Sequence, residues 1–339
     1  MSQLNVDAIR ASNGTGDAIS LTASDKTCTA NITNNLSNRN LIINGAMQVW
    51  QRGTSTTTSA AYQADRFWVV NQGTYARDNS APDGFQYSAK LTHSSSDMAI
   101  GTPLELPATG NAAPLVATNK FTVSFYGKAN SGTEDVNLLC RYRNSKFSGT
   151  NQVDFTGTGQ TFTLTTSWQR FTKTFTIPTV NANNTIISIE VEGIGATAYF
   201  TGFQAELGEV ATDFEHRSYG EELARCQRYY YRITPAANDD VLTGAAWTPF
   251  QNVGQGITEF PVTMRTRVTA LEQSGSATDY QISYHSSGAT CSVVPTFQHG
   301  GTNGAATSFT VAGTPWSQGD SVRPSNKTTD GFLAWSAEL

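Results

Sequence analysis

The chain has 339 residues, a formal net charge of −5 at pH 7 and only 14% charged residues. This charge argues against a nucleic-acid partner, which needs a basic stripe to neutralise phosphates, and no stretch approaches roughly 18 uninterrupted apolar residues, so membrane insertion is not expected. The length suits about two domains, and the abundance of Gly, Ser, Thr and Asn favours β-structure with many turns.

Residues 1–40 are predicted to form an extended N-terminal arm. The apolar residues of this arm suffice for two short strands but not for a core: Leu4, Val6, Ile9, Ile19 and Leu21. Such a terminus is not expected to order by itself. We therefore interpret the arm as a segment that attaches to another protein. The alternative is that it packs back on its own domain.

Residues 41–215 are predicted to form one β domain. Apolar residues alternate with polar ones in successive segments, which is typical of sandwich strands that bury one face. The clearest alternating sets are Phe121, Val123 and Phe125; Val136, Leu138, Cys140 and Tyr142; Phe171, Phe175 and Ile177; and Ile187, Ile189 and Val191.

Residues 216–232 are predicted to be a linking helix. Ser218 and Glu221 have the spacing of a capping box, and one helical face carries apolar residues at i, i+4, i+7 and i+11. This helix and the tyrosine run that follows it are candidates for packing between domains or between subunits: Tyr219, Leu223, Cys226, Tyr229, Tyr230 and Tyr231.

Residues 233–339 are predicted to form a second, smaller β-sandwich domain with short strands. The four cysteines are too scattered for a disulfide framework or a zinc site. Cys140 lies in an alternating strand and Cys226 on the apolar helix face, so both are expected to be small buried hydrophobic residues. The overall expectation is a mainly β protein with one helix.

Three sequence blocks resemble a module of bacteriophage structural proteins, chiefly tail fibres and related appendages. The blocks are LIINGAMQVWQRG (Leu41 to Gly53), ADRFW (Ala64 to Trp68) and FQAELGEVATDFEHRSYGEELARCQRYYYR (Phe203 to Arg232), and the closing FLAWSAEL is similar to the end of such chains. The resemblance implies a virion protein of the tail that forms a homotrimer, attaches to another virion protein through residues 1–40 and adheres to a host-surface glycan. The absence of a basic and apolar secretory signal is consistent with release by lysis.

A second resemblance concerns the first domain alone. The segments FTVSFYGKA, TLTTSWQRFTKTFTIP and YFTGFQAELG are similar to the jelly-roll carbohydrate-binding modules of glycoside hydrolases, over about Asn40 to Phe214. This resemblance implies sugar binding and a structural calcium ion, for which Glu206 on the last strand is the candidate ligand. No other cofactor is expected.

Aromatic rings bind the C–H faces of sugars, and neighbouring polar side chains bind the hydroxyl groups. On this basis the candidate glycan-binding residues are Trp68, Tyr75, Tyr87, Tyr126, Arg141, Tyr142 and Arg143. Tyr142 has the parity of Val136 and Leu138, so a place in the core is the alternative for it. No residue pattern of a hydrolase, nucleotide-binding or metalloprotease motif is present, and the chain is expected not to be an enzyme.

Two alternative functions remain open at the level of sequence. A capsid-bound head fibre or decoration protein would use the same β domains for cohesion. An envelope-polysaccharide depolymerase would need two facing carboxylates, and the 27 acidic residues allow such a pair. Against the depolymerase, the repeated short rungs of a parallel β-helix are missing from the sequence.

Overall fold

The structure is a computed structural model that describes residues 8–10, 17–21, 28–30, 39–57, 60–105, 119–144, 152–179, 186–284 and 287–338. In the arm, three short strands pair antiparallel in the order β1 (Ala8–Arg10), β2 (Asp17–Leu21), β3 (Cys28–Ala30). These strands pair with one another and, among the described residues, with no strand of the rest of the chain. The rest of residues 1–38 lies outside the described part, so the attachment role stays a prediction.

The first domain contains thirteen strands in two antiparallel sheets. They are β4 (Ser55–Thr56), β5 (Ala61–Tyr62), β6 (Trp68–Val70), β7 (Gly73–Asp78), β8 (Ser88–His93), β9 (Met98–Glu105), β10 (Lys120–Ala129), β11 (Glu134–Arg143), β12 (Val153–Asp154), β13 (Gln160–Leu164), β14 (Gln169–Thr176), β15 (Ile186–Ile194) and β16 (Thr197–Leu207). One sheet has the order β14-β10-β16-β8-β7-β4. The other has the order β12-β11-β15-β9-β6-β5, with β13 also paired to β11.

The core of this domain lies between the two sheets. The alternating residues of β10, β11 and β15 all point into it, as the period-two pattern predicts. Phe125 stacks on Phe203 of β16 with ring centroids 5.6 Å apart, and Phe121 meets Phe155 from the opposite sheet at 5.8 Å. The predicted β-sandwich is therefore confirmed.

The single α-helix of the described residues, α1, spans Tyr219–Gln227 and is shorter than predicted. The Ser218 hydroxyl caps it by accepting a hydrogen bond from the Glu221 N–H at 3.3 Å. The chain leaves the helix at Arg228, and Tyr230–Ile233 forms strand β17. The tyrosine run favours the change from helix to strand, because aromatic residues favour strands. In addition, β17 has a partner strand near the end of the chain.

The buried face of α1 is also offset from the predicted apolar face. Glu222 and Cys226 are buried, whereas Tyr219 is 56% exposed. Within this chain, Tyr219 therefore does not pack between the domains, and only a contact between subunits remains open for it. Cys140, Cys226 and Cys291 are buried and unpaired, in agreement with their expected role as small hydrophobic residues.

The second domain is a closed barrel joined to a small sheet. Its strands are β18 (Ala246–Phe250), β19 (Val253–Glu259), β20 (Glu272–Gln273), β21 (Tyr280–Tyr284), β22 (Ser287–Gly300), β23 (Gly304–Val311), β24 (Ser321–Asn326) and β25 (Leu333–Ser336), with a 3-10 turn at Ala277–Asp279. The barrel closes in the order β18-β19-β23-β22-β21-β24, and the small sheet has the order β17-β25-β20. The expected second β domain is present, and a closed barrel takes the place of the expected second sandwich.

A buried carboxylate, that of Glu338, lies at the junction between the two domains. Glu338 forms ion pairs with Arg66 and, at 3.3 Å, with Arg52. The two guanidinium groups also lie over the rings of Tyr229 and Tyr230, with 3.6 and 3.5 Å between the guanidinium carbon and the ring centre. The tyrosines after the helix therefore lie where the domains meet.

Candidate functional site

The outer face of the seven-stranded sheet brings together polar residues that a sandwich core does not require. Across β6, β9, β15 and β11, the strand register aligns Trp68, Gly101, Glu190 and Leu139 in one row. Gly101 makes this row possible, because a Cβ at that position would lie 2.9 Å from the Trp68 ring and 3.1 Å from Glu190 Cγ. The indole of Trp68 and the side chain of Glu190 thus lie side by side over a glycine.

Two arginines of β11 converge on Glu190. Arg143 donates a hydrogen bond from an Nη atom to one Glu190 oxygen at 2.9 Å, and its Nε lies 2.9 Å from the other oxygen, so the two side chains form a close ion pair. Arg141 lies 3.9 Å from the same carboxylate and 3.1 Å from Asp154. Glu190 and Arg143 are both buried. A buried carboxylate costs desolvation free energy, and these arginines offset that cost.

A polar cavity of about 390 Å³ continues this face toward the far end of β15. Its polar lining residues are Asn71, Asp97, Asn137 and Glu192. Burial raises the pKa of the Glu192 carboxyl to about 7, and the neighbouring Glu190 adds to the rise through its charge and by accepting a hydrogen bond from the protonated Glu192 carboxyl. We call the set of Trp68, Asn137, Arg141, Arg143, Glu190 and Glu192 the polar face.

Three of the predicted glycan-binding residues, Trp68, Arg141 and Arg143, thus lie on one face of the sheet, although Trp68 is far from the two arginines in the sequence. Trp68 is only 2% exposed, and its ring meets Tyr62 edge-on at 6.3 Å. The prediction that the Trp68 ring is an open platform for a sugar is therefore corrected. Its contribution to the surface is to pack beside Glu190.

Tyr75 and Tyr142 belong to the sandwich core, where they are almost fully buried. Tyr75 packs on Trp50 at 5.4 Å, and Tyr142 packs on Phe155 at 4.9 Å. Their assignment to glycan binding is wrong, because neither ring is open to a ligand. For Tyr142 the core alternative, based on its parity with Val136 and Leu138, is correct.

The remaining two candidates, Tyr87 and Tyr126, are half-buried and belong to the six-stranded sheet side of the domain. The Arg77 guanidinium carbon lies 4.4 Å from the Tyr87 ring centre. Tyr126 packs on Phe85 at 5.3 Å. They are remote from the polar face in the strand order, because β10 and β8 belong to the opposite sheet.

Sequence reasoning missed a row of aromatic and basic residues on the outer face of the six-stranded sheet. Lys128 of β10, Tyr199 of β16 and Lys90 of β8 are direct cross-strand neighbours. Trp168, which immediately precedes β14, meets Tyr199 edge-on at 6.4 Å. The alternation of β10 places Lys128 on the outer face. In β16, strict alternation would put Tyr199 on the face of Phe203 and Ala205, which lie in the core; a shift of register in the pairing with β10 turns Tyr199 outward.

Glu206 was the candidate ligand for a structural calcium ion. Its carboxylate accepts hydrogen bonds from the Thr212 N–H and hydroxyl and from Gln204 Nε2, and Arg39 Nε lies 3.7 Å away. Among the described residues, no group of three or more His, Cys, Asp or Glu side chains could hold a metal ion. A calcium ion at Glu206 stays a prediction. The described residues also contain no helix long and apolar enough to cross a bilayer.

Comparison with known proteins finds a family similarity within the first domain. Residues 109–197 match a family described as "Carbohydrate binding domain". The matched segment contains all of β10, β11 and β15, and thus every residue of the polar face except Trp68. No curated protein sequence matches the chain.

Three of the solved structures similar to this chain each cover about half of it. One, described as "CBM4 structure and function", has 18% identity and a TM-score of 0.32, covering 48% of this chain and 97% of its own. The CBM22-1 xylan-binding domain of Paenibacillus barcinonensis Xyn10C has 12% identity and a TM-score of 0.34, covering 51% and 96%. The enzymatically active domain of bacteriophage CBA120 tailspike protein 4 has 13% identity and a TM-score of 0.34, covering 50% and 21%.

Proposed function

We propose that this protein binds carbohydrate through the polar face of its first domain. The observation that carries the proposal is the alignment of Glu190, Arg141 and Arg143 beside the cavity that holds Asn137 and Glu192. The similarity of residues 109–197 to a carbohydrate-binding domain supports it.

The chemistry of these groups suits a ligand rich in hydroxyl groups. A sugar hydroxyl both donates and accepts hydrogen bonds, so it is recognised by carboxylates that accept and by amides and guanidinium groups that donate. Asn137 accepts a hydrogen bond from the Thr161 hydroxyl through Oδ1 at 2.8 Å, which leaves its amide nitrogen as a donor. Glu192 in its protonated form can do both. A cavity of this kind, with few apolar walls, orients a ligand by hydrogen bonds.

Binding is tested with a saccharide array followed by titration of the best ligand against two variants. Asn137→Ala and Glu192→Gln are each expected to weaken binding about tenfold, a loss of about 1.4 kcal/mol. Alanine lacks the amide donor, and the amide nitrogen of glutamine cannot accept a hydrogen bond that a carboxylate oxygen accepts. Asp330→Asn is the matched control for the acid-to-amide change, because Asp330 is exposed on the second domain. Equal affinities for all three variants would place the ligand elsewhere, and silence of the unaltered protein across the array would refute carbohydrate binding.

We further propose that the glycan belongs to a bacterial surface and that the chain is a subunit of a phage appendage, a tail fibre in the first instance. The sequence blocks from Leu41 to Gly53 and from Phe203 to Arg232 support this role through their resemblance to phage structural proteins. In this proposal, residues 1–40 attach the chain to another virion protein, and three copies associate. Weak contacts of each copy with the host glycan then combine through avidity.

Electron microscopy of intact particles carrying a labelled chain tests this role. Density on the tail is the expected result, and density on the capsid would favour the head-fibre alternative. Sedimentation of the purified chain tests the trimer. A monomer at high concentration that binds neither virion proteins nor host cells would contradict the appendage role. Release of reducing ends from host envelope would instead establish the depolymerase alternative.

A further inference from the structure

The row on the outer face of the six-stranded sheet has a composition that packing alone does not demand. Tyr199 has a lysine on either side, with Lys128 Nζ 4.7 Å and Lys90 Nζ 5.5 Å from its ring centre. Lys128 Nζ is also 5.4 Å from the ring centre of Trp168. One edge of this surface is therefore aromatic, and two ammonium groups lie directly beside it. We call Trp168, Lys128, Tyr199 and Lys90 the basic row.

Hydrogen bonds hold the basic row in position. Lys128 Nζ donates to the Ser80 hydroxyl at 2.7 Å, and the Ser80 N–H donates to Asp78 at 2.8 Å. The Tyr199 hydroxyl donates to Asn130 Oδ1 at 3.0 Å, which leaves the Asn130 amide nitrogen as a further donor. Asn130 is exposed and Trp168 is half-buried, so a ligand can reach both.

The charge of the basic row is positive. The carboxylate nearest to it among the described ion pairs is that of Asp78, 4.0 Å from Lys90 Nζ. Lys128 has no carboxylate within 4.0 Å in the part of the chain that the structure describes, and its ammonium contacts only a neutral hydroxyl and two ring faces. A lysine in this setting is free to bind an anion without first breaking a salt bridge.

We propose that the basic row is a second saccharide site, on the sheet opposite the polar face, and that it selects a sugar carrying a carboxylate or phosphate group. The Trp168 ring would contact the C–H face of the sugar, and Lys128 and Lys90 would pair with its anionic group. The Asn130 amide would donate to a neighbouring hydroxyl. This inference does not rest on the polar face, because the two sheets share none of these residues.

The selectivity is expected to differ in kind between the two sites. The polar face has both carboxylates and guanidinium groups and is suited to neutral hydroxyls. The basic row has two ammonium groups and one carboxylate beside it, that of Asp78 at 4.0 Å from Lys90 Nζ, so an acidic sugar gains Coulomb energy there that a neutral one does not. Because both lysines are only half-buried, this gain decreases as salt screens the exposed charges.

The test compares an oligoglucuronate with a neutral oligoglucose of equal length, titrated against the full chain at low and high salt. Lys128→Met, which keeps the length of the side chain and removes the charge, is expected to weaken oligoglucuronate binding about tenfold and to leave oligoglucose binding unchanged. Lys120→Met is the matched control. Lys120 lies on the same strand and also donates to a neutral hydroxyl, that of Thr176 at 3.0 Å. Trp168→Ala is expected to weaken oligoglucuronate binding by a similar factor.

Three outcomes would overturn the proposal. The first is that the unaltered protein does not prefer the oligoglucuronate, and the second is that Lys128→Met and Lys120→Met have equal effects. The third is loss of oligoglucuronate binding in Glu192→Gln, which would assign the acidic ligand to the polar face. Thermal unfolding of Lys128→Met separates a binding role from a structural one, since only the structural role lowers the melting temperature by several degrees. If Glu192→Gln leaves the binding of the array ligand unchanged, the proposal for the polar face fails and the proposal for the basic row is unaffected.

Discussion

Individual carboxyl groups have contrasting environments in this protein, and the polar face shows the contrast within three residues of β15. Glu190 faces two arginines and is held in an ion pair. Glu192 is next to the Glu190 carboxylate, and burial is the largest cause of its raised pKa of about 7. One carboxyl thus pairs with two guanidinium groups, while the pKa of its neighbour is raised to about 7.

This difference predicts how stability depends on pH. Between the ordinary pKa of 4.5 and the folded-state pKa of about 7, the folded protein holds a proton on Glu192 that the unfolded chain releases. The contribution of Glu192 to stability therefore falls as pH rises through this range. Glu192→Gln, which cannot ionise, is expected to be more stable than the unaltered protein at pH 8 by about 1 kcal/mol, a value reduced for the half-exposed setting of the group.

Chemical denaturation at pH 4 and pH 8 measures this effect. The difference between Glu192→Gln and the unaltered protein is expected to be small at pH 4 and clear at pH 8. Asp330→Asn, which changes an exposed carboxyl, should show no such dependence. A constant difference between Glu192→Gln and the unaltered protein at both pH values would mean that the pKa of Glu192 is the same in the folded and unfolded protein.

Among the structural elements, the loop that contains LIINGAMQVWQRG has a specific architectural role. Asn44 has a positive φ of 61°, which asparagine tolerates better than most residues. Its side-chain amide donates to the carbonyls of Val49 and Asp65, and its Oδ1 accepts from the N–H groups of Gln48 and Val49, all at 2.9 Å. Its own N–H donates to Glu222 of α1 at 2.8 Å. The loop therefore connects the sandwich to the helix.

Removing the Asn44 side chain should consequently be severe. Asn44→Ala is expected to lower the free energy of unfolding by about 3 kcal/mol, because four buried hydrogen bonds lose a partner. Asn71→Ala is the matched control, since Asn71 has a similar φ of 69° but is exposed. It should cost about 1 kcal/mol, mainly from the positive φ. Equal losses in urea denaturation would show that backbone conformation, and not the hydrogen bonds, decides the effect.

The sequence predicts the strands and their buried faces better than it predicts which strands lie side by side. Phe121, Val123 and Phe125 reveal β10 and its buried face by alternation alone, because the side-chain period of a strand is two. The same alternation cannot show that Trp68 lies beside Glu190 or that Lys90 lies beside Tyr199, because pairing and register between distant strands decide both. The predicted helix is longer than the observed one for a related reason. Tyr230–Ile233 forms a strand because it pairs with Leu333–Ser336, about a hundred residues away in the sequence.

At the scale of the whole molecule, the two domains are coupled by Glu338. Its side chain is 2% exposed, and Arg66 beside it is equally buried. Burial of charges is costly unless each has a partner, so loss of one partner is more damaging than loss of an exposed pair. The orientation of the barrel against the sandwich thus depends on one carboxylate and two arginines.

Glu338→Ala is expected to destabilise the chain by about 3 kcal/mol or more and to separate the domains. Denaturant unfolding should change from one transition to two, and small-angle scattering should show a larger radius of gyration. The control is Glu221→Ala, which removes an exposed ion pair with Arg225 at 2.9 Å and should cost about 0.5 kcal/mol or less. An unchanged radius of gyration in Glu338→Ala would show that apolar contacts suffice to hold the domains together.

The pairing of β17 with β25 has a consequence for how such proteins can diversify. The strand that leads into the barrel and the strand that leads out of it are hydrogen-bonded neighbours, from Tyr230 opposite Ser336 to Ile233 opposite Leu333. The segment between these two strands, residues 234–332, therefore begins and ends at neighbouring positions in one sheet. A different module with adjacent ends can be joined to these two strands without changing the path of the chain elsewhere, so recombination can exchange the distal part while the sandwich stays the same.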